Sequence, residues 1–246
     1  MYFERKAYKK LLEWKEKYAE KYAVLLEGAR RVGKSTIAEH FAQNEYKSYI
    51  LIDFSKTTDN ICDCFNDIGN MNMFFLRLQA ETGVTLYEHE SLIIFDEVQD
   101  CPEVINSLKY FCENAPQYHI ASAGSLLGIA LAKPSSFPVG KVNFMQIDPM
   151  SFTEFLLANG DENLVDYLQS VQSIEPIPEA FFNPLSEKLK MYYVTGGMPE
   201  SVLMWTQARD VRAMQDALSA IVEAYERDFA KHPQPAEFPK ISMIWK

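Results

Sequence analysis

Nowhere in these 246 residues does an apolar run approach the ~20 residues that a membrane-spanning helix requires. The charged opening, Met1-Tyr-Phe-Glu-Arg-Lys6, also lacks the apolar stretch of a signal peptide, so the reading is of a cytoplasmic chain. Cysteine is scarce: Cys62, Cys64, Cys101 and Cys112 form no C-x-x-C pair. The histidines His40, His89, His119 and His232 are scattered, and this spacing predicts no structural zinc. Positive charge is short as well. A net charge of −10 argues against a broad, sequence-independent grip on nucleic acid, which relies on Lys and Arg neutralising phosphates. What basic charge there is gathers in residues 1–22, where Arg5, Lys6, Lys9, Lys10, Lys15, Lys17 and Lys21 outnumber Glu4, Glu13, Glu16 and Glu20. Arginine is missing altogether between Arg77 and Arg209.

Apolar material is plentiful, at 48% of residues, and aromatics add up to 13%, which is enough to build a packed core. The length suits one large α/β domain and a smaller appendage. Phe3, Ala7, Leu11, Trp14 and Tyr18 recur at steps of three and four, the stripe of an amphipathic helix. Short apolar runs then alternate with helical patterns. Strands are expected at 23–26, 49–53, 92–95, 118–123 and 142–147, with helices at 34–43, irregularly at 58–82 with a break at Gly69-Asn70, and at 103–114. That alternation predicts a five-stranded, mainly parallel sheet flanked by helices. Beyond Pro149 only helical patterns remain, at 151–159, 162–171, 179–194 and 210–232. The expected domains are therefore 1–149, a nucleotide-binding α/β domain that carries the amphipathic helix, and 150–232, a helical lid. Residues 233–246, with three prolines and then Ile241, Met243, Ile244 and Trp245, read as a linker or the start of a missing domain.

The chemistry concentrates in Gly28-Ala29-Arg30-Arg31-Val32-Gly33-Lys34-Ser35-Thr36, which matches G-x-x-x-x-G-K-[ST] between a strand and a helix. Glycines let consecutive N–H groups curl around phosphate oxygens, and the helix N-terminus adds partial positive charge. Lys34 is expected on the β- and γ-phosphates, Ser35 on Mg²⁺. Leu92-Ile-Ile-Phe95 delivers two carboxylates to a strand end: Asp96 for the magnesium shell, and Glu97 to orient and polarise an attacking water. In Ser122-Ala-Gly-Ser125, either Ser125 or Ser122 is a candidate for the γ-phosphate or that water. With no arginine after the fourth strand, Lys141 is the cation available for the transferring phosphoryl group, although it lacks the fork of arginine. Arg30 and Arg31 read as phosphate or partner contacts. There is no N-K-x-D segment of the kind that reads guanine, which favours ATP.

Taken together, the loop, Phe95-Asp-Glu-Val-Gln99, Ser122-Ala-Gly-Ser-Leu-Leu127, Pro149-Met-Ser-Phe-Thr-Glu-Phe155 and Thr195-Gly-Gly-Met-Pro199 resemble the AAA+ superfamily ATPases of bacteria and archaea, close to the signal-transducing NTPases with numerous domains. The resemblance implies a P-loop NTPase fold with a helical lid, ATP and Mg²⁺ as ligands, and a protein partner or a further C-terminal domain to receive the signal. It makes Pro199 a nucleotide sensor; a helix-starting proline after a glycine turn fits the same residues. The missing arginine finger departs from ring-forming members. The reading is a slow Mg-dependent ATPase that acts as a conformational switch, with two alternatives: an ATP-binding module without hydrolysis, and a P-loop small-molecule kinase.

Overall fold

The computed structural model describes residues 2–57, 59–65, 68–124 and 140–231. The chain divides into two compact units, one built from residues 4–148 with Tyr2, the other from residues 149 onward with Phe3.

The first unit alternates helix and strand: α1 (Lys6–Lys17), β1 (Ala23–Glu27), α2 (Lys34–Glu45), β2 (Ser48–Asp53), α3 (Asp59–Cys64), α4 (Met71–Thr82), β3 (Ser91–Asp96), α5 (Pro102–Asn114), β4 (His119–Gly124) and β5 (Val142–Gln146). The five strands form one parallel sheet in the order β2-β3-β4-β1-β5. Strands β3 and β4 are buried along their whole length and β1 nearly so. The unbroken apolar runs of β1 and β3 follow from having both faces covered. Across the sheet, Ile52, Phe95, Ser122 and Leu25 stand in register and share one face. That face carries the main core, where Phe54, Phe65, Phe74, Phe75 and Phe111 from the helices and loops surround Phe95. Helix α2 packs on β2, β3 and β4, and α1 packs on α2 through a stripe in which Ala7, Leu11 and Trp14 are buried. The break expected near Gly69-Asn70 is a helix start: the Asn70 side chain accepts a hydrogen bond from the Met73 N–H.

The second unit is helical, with α6 (Phe152–Ala158), α7 (Glu162–Ser170), α8 (Glu179–Thr195), α9 (Pro199–Ala208) and α10 (Val211–Lys231). Helix α6 starts with a reciprocal capping box between Ser151 and Glu154. Met150, Phe155 and Val202 form one small core, and Leu156, Val165 and Leu185 form a second, beside which the Tyr167 and Phe181 rings stack 4.0 Å apart. A Cβ on Gly197 would lie 2.3 Å from the Met150 carbonyl oxygen, so only glycine allows the Met150 N–H to reach the Gly197 carbonyl at 2.7 Å. Helix α9 begins at the helix-starting proline that the sequence offered at Pro199, although no helix of this length was expected there. Its apolar residues Val202-Leu-Met-Trp205 run consecutively and hide the 3.6-residue period that reveals a helix. The segment 233–246 lies outside the described residues.

Candidate functional site

The chain leaves β1 through Gly28 at φ +147°, where an added Cβ would sit 2.2 Å from the Ile147 carbonyl oxygen. No side chain fits there, and the loop begins at that constraint. It turns through exposed Ala29, Arg30 and Arg31, the last with φ 64°, past buried Val32 to Gly33 at φ 91°. Gly33 is the N-cap of α2; no side chain caps it and no acidic residue occupies the first turn. The helix N-terminus, whose first N–H groups have no partner within a helix, therefore brings partial positive charge to the end of the loop.

Lys34 is buried, and its Nζ donates to the carbonyl oxygens of Gly28 and Ala29, both at 2.9 Å. Burial lowers the pKa of this ammonium; the charges of Glu97 and then Asp96 pull it back up. Asp96, at the end of β3, is also buried. Burial pushes its carboxyl up from the usual range, while a hydrogen bond with the Ser35 side chain lowers it and the Glu97 charge raises it. Asp96 Oδ1 also accepts the Glu97 N–H at 3.0 Å. Glu97 takes a left-handed backbone, φ 51° and ψ 45°, uncommon for a residue with a side chain. Its Oε2 accepts from Gln99 Nε2 at 2.5 Å. The loop, Lys34, Ser35, Asp96 and Glu97 thus converge at the carboxyl ends of β1 and β3, where open α/β sheets bind their ligands. The donor set offered to a metal, a serine hydroxyl and a buried carboxylate, is all oxygen and suits Mg²⁺.

Other expected residues fall elsewhere. Thr36 is exposed on the first turn of α2. Ser125 lies outside the described residues. Ser122 stands in register with Leu25 and Phe95, on the face opposite to Asp96. The reading of Lys141 as a cation on this chain's phosphoryl group is corrected. Its carbonyl accepts the Ala23 N–H at 3.1 Å, at the start of β1, and Val142 pairs with Ala23. The loop leaves the other end of that strand, a strand length of roughly 16 Å away. Pro199 opens α9 within the helical unit.

Two residues without a motif of their own matter here. Arg5 is buried and donates through Nη1 to the Val32 carbonyl at 3.0 Å and through Nη2 to the Asp148 carbonyl at 2.5 Å, bracing the loop from outside. In the sequence it is one arginine among the lysines of the basic N-terminal stretch, which gives no signal of this role. Gln99 holds Glu97; its only sequence cue is its place in Phe95-Asp-Glu-Val-Gln99.

A family model described as an AAA domain matches residues 20–156, and a second, of a domain of unknown function, matches residues 186–246. Among solved structures, the Walker-type ATPase PABY2304 of Pyrococcus abyssi is similar at 17% identity and a TM-score of 0.55, covering 94% of this chain and 75% of that one. A signal transduction ATPase with numerous domains and a tetratricopeptide repeat sensor, from Pyrococcus horikoshii, aligns at 14% identity and a TM-score of 0.49, over 93% of this chain and 34% of that one. The Thermotoga maritima RuvB Holliday junction branch migration motor aligns at 13% and 0.44, over 89% and 70%. No curated protein matches the chain. At these identities the structural likeness establishes the fold alone: a P-loop NTPase sheet with helices around it.

Proposed function

The chain belongs to the AAA domain family, and from that premise we propose that it is a slow Mg-dependent ATPase that works as a conformational switch. One observation carries the reading: Lys34 Nζ rests on the carbonyls of Gly28 and Ala29 while its neighbour Ser35 hydrogen-bonds Asp96. A buried ammonium and a buried carboxylate that act on each other's charge flank the loop and the N-terminus of α2, and triphosphate with its metal would satisfy all of them.

On binding, Lys34 exchanges the two carbonyls for β- and γ-phosphate oxygens, and the N–H groups of residues 29–36 take the remaining oxygens. Ser35 and Asp96 would hold Mg²⁺, which neutralises charge on the phosphates. Glu97 orients a water in line with the γ-phosphorus and accepts its proton as the new P–O bond forms and the bond to ADP breaks. Gln99 fixes the Glu97 carboxylate for that task. The rate is low because no arginine lies between Arg77 and Arg209 to stabilise the transferring phosphoryl group, an effect worth on the order of 10³ to 10⁵ elsewhere. Readout of the nucleotide state is assigned to the helical unit, with Pro199 as the sensing residue and a protein partner as recipient.

The same missing arginine favours a second reading, an ATP-binding module without turnover. Phosphate release from Mg-ATP by the purified chain, measured beside Glu97→Gln with no other substrate, separates the two. Release that vanishes in the variant supports the ATPase. Tight binding with no release from either chain supports the module, and phosphate appearing on an added acceptor instead of in water supports a kinase.

A further inference from the structure

At the other end of the sheet, three side chains far apart in sequence meet. Glu20 lies in the turn after α1, His89 in the turn before β3, and His119 opens β4. Each offers one ligand atom, and these atoms all lie within 4.8 Å of one another. His89 Nδ1 is already 3.2 Å from Glu20 Oε1. His119 is 5% exposed, and its Nε2, fully buried, has no hydrogen-bond partner. A buried polar atom left in this state costs roughly 1–3 kcal/mol unless something else satisfies it. The spacing of the four histidines predicted no zinc because ligands drawn from two turns and a strand far apart in sequence leave no local pattern.

The other ring nitrogen sets the chemistry. His119 Nδ1 lies 2.8 Å from the Tyr46 hydroxyl, and burial raises the pKa of that phenol, which keeps it neutral. With Nδ1–H donating to the phenol oxygen, the lone pair is on Nε2, the nitrogen left for a ligand, the arrangement by which an outer partner fixes the tautomer of a ligating histidine. Burial lowers the His119 pKa to about 4, so the ring is neutral at ordinary pH. Nearby Lys15, whose charge also acts on His119, has its ammonium 3.6 Å from Glu45 Oε2.

We propose that Glu20, His89 and His119 form a binding site for a divalent transition-metal ion, zinc above all, distinct from the phosphate site. Two imidazoles and one carboxylate suit zinc, with bonds of about 2.0–2.2 Å, whereas Mg²⁺ and Ca²⁺ select oxygen alone. Three protein ligands leave one position of a tetrahedron, and the half-exposed side chains of Glu20 and His89 open it to solvent. The ion would staple the turn after α1 and the turn before β3 onto the first residue of β4. His119 pairs with Leu92, whereas Gly124, at the far end of β4, pairs with Glu27, from which the phosphate loop departs. The two sites therefore sit at opposite ends of the strands, and this one stands without the ATPase reading.

The test titrates ZnCl₂ into the chelator-treated chain without nucleotide, by calorimetry and thermal unfolding, with CoCl₂ as a spectroscopic probe. The expected result is one ion per chain, a rise in Tm, and visible d–d bands of tetrahedral Co²⁺. His89→Ala and Glu20→Gln change half-exposed groups; each should keep the metal-free Tm and lower affinity at least tenfold. Tyr46→Phe, which removes the outer partner, should lower it on the order of 10–100-fold. No zinc binding by the wild-type chain, or binding unchanged in either His89→Ala or Glu20→Gln, overturns the proposal.

Discussion

Arg5 Nη1 donates to the carbonyl oxygen of Val32 at 3.0 Å, so a residue before the first helix holds the middle of the phosphate loop. The guanidinium is buried and also reaches the Asp148 carbonyl, just beyond the last strand. A hydrogen bond to a charged group is worth about 1.5–3 kcal/mol net, and removing the donor strands two carbonyls. Arg5→Met should therefore destabilise the chain by about 2–3 kcal/mol, lowering Tm by roughly 4–12 °C. ATP affinity should fall as well, because Val32 would no longer be anchored. Calorimetric melting with and without nucleotide measures both effects, and an unchanged melt would show that the buried arginine carries no load.

Asp96 raises the opposite expectation. Its carboxylate is buried, and burial outweighs the Ser35 hydrogen bond in pushing its pKa up. Asp96→Asn keeps the shape and removes the buried charge. The ligand-free variant should be more stable than wild type, by about 1 kcal/mol. It should also lose the Mg-dependent part of the stabilisation by ATP. Thermal unfolding in four conditions, with and without ATP and with Mg²⁺ or chelator, reads both. A variant less stable without ligand would mean that the Ser35 and Glu97 contacts of Asp96 outweigh its desolvation.

The sheet was legible in the sequence because parallel strands buried on both faces give continuous apolar runs, as Leu92-Ile-Ile-Phe95 does. The loop was legible because Gly28 and Gly33 serve backbone conformations that few other residues adopt. What stayed hidden was everything set by three-dimensional register. Lys141 follows a glycine and precedes a strand, and nothing local told which end of the sheet it joins; pairing of Val142 with Ala23 decided it. Ser122 lost its assignment to alternation alone, since one residue along β4 changes the face. Arg5 and Gln99 act through hydrogen bonds to residues chosen by the fold, and a sequence pattern does not carry such partners.

Alkaline pH should test how α1 is held to α2. The Tyr8 hydroxyl donates to Glu45 Oε1 at 2.8 Å, and its ring lies 5.8 Å from that of His40 and 6.5 Å from that of Tyr2. Burial first, then the Glu45 hydrogen bond and charge, raise the phenol above its ordinary value of 10.0. Folding therefore favours the neutral form. The contribution is complete below pH 10 and is lost as pH rises from there through the folded-state value, because the unfolded chain ionises first. Tyr8→Phe should be less stable than wild type at pH 8, and the difference should shrink above pH 10. Urea midpoints for both chains at a series of pH values would show it; a constant difference would mean that the hydroxyl makes no net contribution.

The 2.5 Å hydrogen bond from Gln99 to Glu97 leads to a kinetic prediction that depends on the ATPase reading. Glu97 has a left-handed backbone, so its side chain does not follow the strand's alternation, and the Gln99 amide donates to its carboxylate. Losing that hydrogen bond shifts the carboxylate, and a catalytic base misplaced by about 1 Å can cost on the order of 100-fold. Gln99→Leu should lower kcat about 10- to 100-fold and leave KM for ATP nearly unchanged, since Gln99 contacts neither Lys34 nor the loop glycines through any hydrogen bond described among these residues. Gln99→Asn, whose amide falls one methylene short, should recover only part of the rate. A rise in KM equal to the fall in kcat/KM would place Gln99 in binding and remove Glu97's support from the argument for water activation.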